Sequence, residues 1–469
     1  MKKEQILELF NKPDFKVYFI GIGGKGLNGI AKYCLKRGIG VCGSDIRKSE
    51  ETESIKKLGG EVFYDNQGDN LNSSIDLVVR TSVIENNPEI TKAHKLNIPV
   101  IKRSEFLGAI ISQFQNISVV GSHGKSTTTA LVGLALQFSG QDPTIFGGAY
   151  IKEIGSYERV GNGKYCVTES CEYDRSFLDL PGNISIITSL EKSHLEYYKD
   201  EEEMLQAFRD FVGLHKAGST LIANGDNIEI RKLIFHTEAK LITYGFNMIN
   251  DYVIKDVTYE NNKSIFSVFK GDNLVIKDLQ IKLPGSYNIL NFVSVVVLFD
   301  KLGLDLSFIR ELGLIFTGVG RRFEIHPINE ILTFIDDFSH HPTQVKNLFD
   351  GIKQFFPDYK IYAVFQPRQY HLIKTFIKEY GGAFKKADKI LVTDIIPALG
   401  DSDSDKKSLK VDQIIKSIKR HSYKNDVIYS DSFDSIIANL KNEIKDKTIV
   451  ATIGAGDINK LKDLYTQYV

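Results

Sequence analysis

Residues 119–129 read Val-Val-Gly-Ser-His-Gly-Lys-Ser-Thr-Thr-Thr, and this stretch is the most informative feature of the sequence. Two apolar residues close a predicted strand, a glycine-containing turn follows, and good helix formers run from Thr129 to Leu136. Such a turn surrounds a phosphate with backbone N–H groups and the positive end of a helix. The lysine neutralises a terminal phosphate and the hydroxyl after it binds Mg²⁺. The stretch therefore predicts a nucleotide-phosphate site.

The motif is present only in its short form, Gly-Ser-x-Gly-Lys-Ser-Thr, because Val119 stands where the full consensus has a first glycine. A Gly/Ser surface turn that binds nothing is the alternative interpretation. The order of strand, turn and helix favours the phosphate site over that alternative.

Bulk properties indicate a multidomain globular protein that binds small anions. A chain of 469 residues suggests about three domains, and 42% hydrophobic with 25% charged residues is typical of a folded protein. Lys+Arg and Asp+Glu balance at 59 each. Without a global positive field, phosphate is expected in local pockets rather than along a nucleic acid.

The N-terminus and the cysteines indicate an intracellular protein. The first ten residues lack a signal-peptide core, and no apolar run reaches membrane-spanning length, so we expect no membrane association and a cytoplasmic location. The four cysteines form no Cys-x-x-Cys pair, and we expect reduced, mostly buried thiols.

A glycine-rich turn also follows the first predicted strand, Lys16 to Ile20, and feeds a helix from about Leu27 to Arg37. This pattern is typical of a Rossmann-like unit whose turn approaches a diphosphate. A second strand ends at Asp45, which we expect either to contact a ribose or uracil or to be an ordinary loop carboxylate. The turn glycines are Gly21, Gly23, Gly24 and Gly26.

The remainder of the chain divides into a central and a C-terminal α/β unit, giving predicted domains at 1–112, 113–317 and 318–469. Short alternating runs between residues 239 and 283, the first being 240–244, predict an antiparallel β-subdomain. In the third domain we expect a helix from Tyr370 to Lys386 and a solvated loop from Gly400 to Lys407.

Several short motifs, in this order, resemble those of the Mur ligase family. Beside the two glycine-containing turns they are Glu169-Ser-Cys-Glu-Tyr-Asp-Arg-Ser-Phe177, Glu191-Lys-Ser-His-Leu-Glu-Tyr197, Gly320-Arg-Arg-Phe323, Asp336-Asp-Phe-Ser-His-His-Pro342, Phe365-Gln-Pro-Arg368 and Gly454-Ala-Gly-Asp-Ile458. Each motif is short, but their joint order extends over nearly the whole chain.

The resemblance implies an ATP-dependent carboxylate–amine ligase of cell-wall precursor synthesis. Its alanine-adding branch joins L-alanine to UDP-N-acetylmuramate through an acyl phosphate. The first domain would hold the UDP-sugar, the second ATP and Mg²⁺, and the third the ribose face and the amino acid. A monomer or homodimer is expected, with no nucleic-acid or membrane partner.

The resemblance also assigns residues at the phosphate site. Lys125 would lie against the β/γ-phosphates, and the metal set would be Ser126, Glu172 and His194, with Glu169 as the alternative carboxylate. The expected ATP-binding set is Gly121, Ser122, His123, Gly124, Lys125, Ser126, Thr127, Asn288, Asn291 and Asp336. The expected UDP-sugar set is Gly21, Gly23, Gly24, Gly26, Asp45 and Ser82.

In the third domain the resemblance implies that Asp336 anchors the ATP ribose and that Arg322 reaches the γ-phosphate. Of the two neighbouring histidines, His340 is expected to face the amino acid, although both could instead cap a helix. Arg368 is expected to bind the amino-acid carboxylate by a bidentate contact.

Three departures from the family pattern keep other functions open. Ser189 and Ser193 stand where Asn and Asp are usual, so one Mg²⁺ is expected rather than two. Leu372 stands where an arginine is usual, which leans toward the related ligase that re-attaches a recovered murein tripeptide. A sugar-nucleotide-binding protein without ligase activity is the alternative of another class.

Overall fold

The computed structural model describes residues 1–81, 87–194, 197–235, 237–398, 401–423 and 426–467. They form two compact units. The first consists of Met1–Glu191, Leu205–Tyr252 and Ser294–Phe308, and the second of Lys192–Met204, Val253–Val293 and Ile309–Val469.

The N-terminal part of the first unit is a five-stranded parallel sheet in the order β3-β2-β1-β4-β5. Helices alternate with strands, which confirms the predicted Rossmann-like unit. The central strands are buried on both faces, as in other parallel sheets covered by helices. Its elements are α1(Lys3–Phe10), β1(Lys16–Ile20), α2(Lys25–Lys36), β2(Gly40–Ser44), α3(Glu50–Lys57), β3(Glu61–Phe63), β4(Leu77–Arg80), α4(Pro88–Lys95), β5(Val100–Lys102) and α5(Arg103–Ile111).

The central strands of the first unit run in the order β12-β11-β10-β6-β9-β7-β8, parallel except for β8 at the edge. The elements of this stretch are β6(Gln115–Val120), α6(Lys125–Phe138), β7(Thr144–Ile151), β8(Ser156–Arg159), β9(Tyr165–Glu169), β10(Ile184–Ile187), α7(Glu201–Gly213), β11(Thr220–Asn224), α8(Ile228–Ile234) and β12(Lys240–Gly245). Two 3₁₀ segments, Lys152–Ile154 and Tyr173–Asp179, complete it.

One strand that was predicted for the antiparallel β-subdomain belongs to a different part of the sheet. β12 pairs in parallel with β11, so the run at 240–244 belongs to the parallel sheet. The later runs confirm the prediction, because β14 and β15 pair antiparallel and β13 lies beside β14. These elements are β13(Tyr252–Glu260), β14(Lys263–Lys270) and β15(Asn273–Ile281), followed by α9(Ser286–Leu302) and α10(Ser307–Ile315).

The C-terminal sheet of the second unit has the order β16-β17-β21-β18-β19-β20, parallel except for the edge strand β16. One apolar cluster covers each of its faces. Its elements are β16(Glu324–Pro327), β17(Leu332–Asp337), α11(Pro342–Phe355), β18(Lys360–Phe365), α12(Tyr370–Thr375), α13(Ile377–Ala383), β19(Lys389–Val392), α14(Asp403–Ser408), α15(Val411–Ser422), β20(Val427–Tyr429), α16(Phe433–Glu443), β21(Thr448–Ile453) and α17(Lys460–Gln467).

Two predictions for this domain are wrong in detail. The single helix expected from Tyr370 to Lys386 breaks at Phe376, whose φ of −111° and ψ of 27° leave the helical region and separate α12 from α13. The expected solvated loop contains α14, because the hydroxyl of Ser402 accepts a hydrogen bond from the Asp405 amide and caps a short helix.

The architecture confirms the predicted class of three α/β domains with a mixed central sheet, while the boundaries near residues 112 and 317 stay predictions. Three cysteines are buried, Cys171 is half-buried, and all four are free thiols. Within the described part of the chain, no helix combines the length and the apolar character needed to cross a lipid bilayer.

Candidate active site

The phosphate turn is a tight connection between β6 and α6. Gly121 has φ of 131° and Gly124 has φ of 84°, both in the region that favours glycine. A Cβ atom on Gly121 would lie 2.4 Å from the Thr188 hydroxyl oxygen, so no larger residue fits there. Gly124 then caps α6, whose positive end faces the turn.

Ser189, one of the departures from the family pattern, braces this turn. Its carbonyl accepts a hydrogen bond from the Ser122 amide (2.9 Å), and its hydroxyl oxygen accepts one from the His123 amide (2.8 Å). The Ser122 hydroxyl in turn donates to the Glu191 carbonyl (2.7 Å). The substitution at 189 therefore keeps a side chain that fixes the turn.

Lys125 and Glu172 form a buried ion pair. The Lys125 ammonium lies 2.8 Å from a Glu172 carboxylate oxygen, and the two side chains are 10% and 0% exposed. The ammonium also donates to the Gly121 carbonyl and, at 3.3 Å, to that of Ser122. Burial lowers the pKa of Lys125, but the charge of Glu172 and the hydrogen bond to it raise it more, so the pKa stands above its usual value.

Glu169 is the partner of Ser126. The Ser126 hydroxyl donates to one carboxylate oxygen (3.0 Å), and the Gly148 amide donates to the other (2.8 Å). The strand register explains the contact between Ser126 and Glu169. β6 and β9 run in parallel with Val119 opposite Glu169, so the residues that follow the two strands lie at the same edge of the sheet. The turn thus gathers one hydroxyl and two carboxylates, the hard oxygen donors that Mg²⁺ prefers.

The glycine turn of the first sheet is likewise fixed by its own strands. Gly21 has φ of 81°, and its amide donates to the Ser44 carbonyl (2.9 Å). Asp45 accepts the Gly23 amide through its side chain at 2.8 Å, so this carboxylate shapes the turn. Gly24 caps α2 and Gly26 lies in its first turn. Ser82, the remaining predicted sugar contact, lies outside the described residues.

Three further predicted residues lie in the second unit. His194 has φ of 51°, and its carbonyl accepts the Tyr197 amide (2.9 Å). The Asn288 side chain donates to the Pro284 carbonyl (2.8 Å), and the Asn291 side chain donates to that of Asn288 (3.4 Å). The two asparagines form one buried face of α9.

Asp336 is held by a residue that the sequence reading did not single out. The Arg321 guanidinium donates to its carboxylate (3.0 Å) and to the Gly454 and Gly456 carbonyls, each at 2.8 Å. Thr452 donates to the other carboxylate oxygen (2.9 Å). Burial raises the pKa of Asp336, and Arg321 and Thr452 offset part of that rise.

The two histidines after β17 have different surroundings. His341 is 6% exposed, caps α11 by accepting the Thr343 amide at 3.4 Å, and packs its ring on Phe376. His340 is half-buried, and its Nδ1 lies 3.1 Å from the Phe338 carbonyl. Of the two rings, that of His340 is therefore the more accessible, as the sequence-based preference requires.

Two predicted cationic residues lie near the same strand ends. The Arg322 guanidinium lies over the Phe338 ring, 5.1 Å from its centroid. The Arg368 guanidinium donates to the Ala455 carbonyl (2.7 Å) in the loop after β21. Leu372, in the position where an arginine was expected, is 6% exposed and packs into the domain.

The residues that sequence reasoning missed had only weak signals. Arg321 was visible as half of an Arg-Arg pair, and the resemblance selected its neighbour Arg322. Only the structure shows that Arg321 ties Asp336 to the loop after β21. Glu169 was named as an alternative, and its contact with Ser126 could not be read from spacing alone.

Three families of domains match the chain in succession. The Mur ligase family catalytic domain matches residues 16–115, the Mur ligase middle domain residues 119–299, and the Mur ligase glutamate ligase domain residues 321–456.

Whole proteins match over almost their full lengths. A UDP-N-acetylmuramate–L-alanine ligase of Caldanaerobacter subterraneus is 35% identical over 457 residues, covering 96% of this chain and 97% of the relative. One of Clostridium kluyveri is 36% identical over 455 residues, with the same coverage. Among solved structures, the UDP-N-acetylmuramate–alanine ligase of Thermotoga maritima superposes with a TM-score of 0.79 at 27% identity, covering 97% of this chain and 98% of that one. A murein peptide ligase of Psychrobacter arcticus shares the fold, with a TM-score of 0.66 at 18% identity and the same coverage.

Proposed function

Because the chain belongs to the Mur ligase family, we propose that it joins L-alanine to the lactyl carboxylate of UDP-N-acetylmuramate at the expense of ATP. A carboxylate is a poor electrophile and must be activated before an amine attacks it. In this reaction a carboxylate oxygen attacks the γ-phosphorus of ATP and ADP leaves. The alanine amine then attacks the acyl phosphate, loses a proton and displaces inorganic phosphate.

The buried contact between Lys125 and Glu172 is the observation that carries this proposal. A lysine ammonium held at a closed glycine turn, at the positive end of α6, is arranged to neutralise a phosphate. Its carboxylate partner keeps the ammonium charged and in place when no phosphate is present. Phosphoryl transfer needs charge neutralisation and alignment more than covalent help from the protein.

The residues at the turn fit a magnesium ion. The Ser126 hydroxyl, 3.0 Å from a Glu169 oxygen, and the Glu172 carboxylate are oxygen donors of the first unit. When bound, Mg²⁺ would neutralise charge on the phosphates. We assign Glu172 as the principal carboxylate for one ion, with Glu169 holding Ser126 in position or acting as the alternative ligand. The assignment of His194 to the same ion rests on family resemblance alone.

The first domain is proposed to hold the sugar nucleotide at the turn from Gly21 to Gly26. Two strand-end contacts fix its shape, from the Gly21 amide to Ser44 and from the Gly23 amide to Asp45. A rigid glycine turn before a helix brings backbone N–H groups close to a diphosphate. Asp45 is therefore proposed to position the turn, and a further contact with ribose or uracil remains compatible with this role.

The second unit is proposed to supply the ribose and amino-acid contacts. Asp336, fixed by Arg321 and Thr452, is a rigid acceptor suited to ribose hydroxyls. His340 is proposed to face the amino acid, with Arg368 as the partner of its carboxylate. Arg322 and the buried asparagines of α9 are proposed to contact the γ-phosphate and the adenine.

The related tripeptide ligase is the second candidate, and Leu372 is the observation in its favour. Leu372 is buried where the family usually has an arginine, so α12 has one cation fewer to bind the carboxylate of a small amino acid. A sugar-nucleotide-binding protein without catalysis is the candidate of another class. The joint presence of Lys125, Glu172, His194 and Asp336 argues against it.

Release of inorganic phosphate from ATP separates the three candidates. The assay uses the purified full chain with ATP, Mg²⁺ and UDP-N-acetylmuramate, and compares L-alanine, other amino acids and the murein tripeptide. Dependence on L-alanine supports the proposal, whereas dependence on the tripeptide selects the recycling ligase. Sugar-nucleotide binding without phosphate release under any condition would indicate the non-catalytic protein.

A further inference from the structure

Arg103 lies where the first sheet meets the phosphate-site half of the first unit. It is the first residue of α5, and its side chain crosses to the glycine turn. A Cβ atom added at Gly26 would lie 3.1 Å from its Cδ, 3.4 Å from its Nε and 3.6 Å from its Cζ. The guanidinium therefore lies against the first turn of α2, and a glycine at 26 leaves the space that it needs.

Among the residues that the structure describes, this guanidinium forms no ion pair with a carboxylate within 4 Å and no hydrogen bond. Burial lowers the pKa of Arg103, and Cys171 and Glu169, its electrostatic neighbours, offset this only in part. Arg103 is half-buried, and a partly buried cation without a close counter-charge destabilises the ligand-free protein.

The surroundings of Arg103 add further positive potential. It lies at the N-terminus of α5 and beside the N-terminus of α2, and both helix ends carry partial positive charge. Four carboxylates on or near the adjacent elements already have partners. These contacts are Glu105 with the Lys102 amide (2.7 Å), Glu158 with Lys32 (2.8 Å), Asp174 with Lys102 (2.8 Å) and Glu169 with Ser126 (3.0 Å).

We propose that Arg103 binds the diphosphate of the sugar nucleotide beside the first turn of α2. This inference rests on the proposed function and names a binding residue for its nucleotide-sugar substrate. A guanidinium presents two parallel N–H donors to two phosphate oxygens, a geometry that an ammonium lacks. The ligand then supplies a counter-charge that the described residues do not provide.

The test measures dissociation constants by calorimetry for wild type, Arg103→Met and Arg103→Lys. The probes are UDP, UDP-N-acetylglucosamine, UDP-N-acetylmuramate and ATP. Loss of a charge-assisted bidentate contact should weaken binding by roughly ten- to a hundredfold. The loss should be equal for the three uridine nucleotides because all share the diphosphate, and ATP binding should change less than about twofold. Arg103→Lys should recover part of the affinity.

Arg159→Met is the matched control for a structural effect. Arg159 belongs to the same unit and donates to the Pro143 carbonyl (2.6 Å) and to Asp142 (2.5 Å), so its loss should lower the thermal midpoint and leave UDP affinity unchanged. Arg103→Met should do the reverse, with a ligand-free midpoint at or above that of wild type.

Three results would overturn the inference. The first is unchanged UDP affinity in Arg103→Met. The second is a loss confined to UDP-N-acetylmuramate, which would place the guanidinium on the lactyl carboxylate. The third is an equal loss of ATP affinity. Failure of the wild type to bind any uridine nucleotide would instead refute the proposed substrate, so the two failures are distinguishable.

Discussion

Replacing Glu172 by glutamine tests the buried ion pair at the phosphate turn. The change preserves the shape of the side chain and removes its charge, leaving the Lys125 ammonium unpaired in a site where the two side chains are 10% and 0% exposed. Removing one partner of a buried pair costs about 3–5 kcal/mol. The glutamine oxygen and the Gly121 and Ser122 carbonyls can still accept from the ammonium, so we expect about 2–3 kcal/mol.

The assay is thermal unfolding of the full chain followed by calorimetry without nucleotide. For a folding unit of this size, 1 kcal/mol corresponds to roughly 2–4 °C, so the midpoint should fall by about 4–12 °C. Glu169→Gln is the matched control. Its carboxylate accepts from two neutral donors, the Ser126 hydroxyl and the Gly148 amide. In the glutamine variant the amide oxygen can accept from Gly148 and the NH₂ group can donate to the Ser126 hydroxyl, so we expect a cost of less than about 1 kcal/mol.

The pH dependence of the unfolding midpoint tests the same ion pair independently. Pairing raises the pKa of Lys125 in the folded state, so its stabilisation is complete below the unfolded lysine pKa of about 10.4 and is lost as pH rises through the folded value. The difference in midpoint between wild type and Glu172→Gln should be constant from neutral pH to about 9 and shrink above about 10.4. Equal midpoints for the two glutamine variants, or a difference independent of pH, would refute the charged pair.

Three further predictions concern activity. Lys125→Ala should abolish phosphate release, while the dissociation constant for UDP-N-acetylmuramate should stay within about twofold of the wild-type value. A loss of sugar-nucleotide affinity as large as the loss of activity would show that the domain assignment is wrong. Glu172→Gln should raise the Mg²⁺ concentration for half-maximal rate more than Glu169→Gln does, and the opposite ranking would exchange the two ligand assignments. Arg368→Ala should raise the KM for L-alanine roughly ten- to a hundredfold with the KM for ATP unchanged, and Arg368→Lys should recover part of the loss. An unchanged KM for L-alanine would assign the carboxylate to another cation.

Local sequence patterns predicted the parallel sheets because buried strands and their turns have short-range signals. The strand at Lys16–Ile20 has the predicted bounds. β12 was misassigned because an alternating run does not reveal which neighbour it pairs with. Its parallel partner β11 is fixed by the packing of the whole sheet.

In the candidate site, too, local patterns predicted some features and missed others. The two glycine turns and Lys125 follow from spacing, since consecutive residues determine a turn. The pairing of Ser126 with Glu169 depends on the register of β6 against β9, which no local pattern encodes. Arg321 and Arg103 were missed for the same reason, because each acts on residues distant in the chain.

Transfer of an oxygen isotope from the lactyl carboxylate to inorganic phosphate tests whether this chain ligates L-alanine through an acyl phosphate. The full chain is incubated with ATP, Mg²⁺, L-alanine and UDP-N-acetylmuramate whose lactyl carboxylate oxygens are ¹⁸O, and the inorganic phosphate is analysed by mass spectrometry. Ligation through an acyl phosphate predicts one ¹⁸O atom in each phosphate released, together with an alanyl amide in the product. Phosphate that contains no ¹⁸O while the amide still forms would contradict the acyl-phosphate route, and phosphate release without amide formation would contradict the ligase itself.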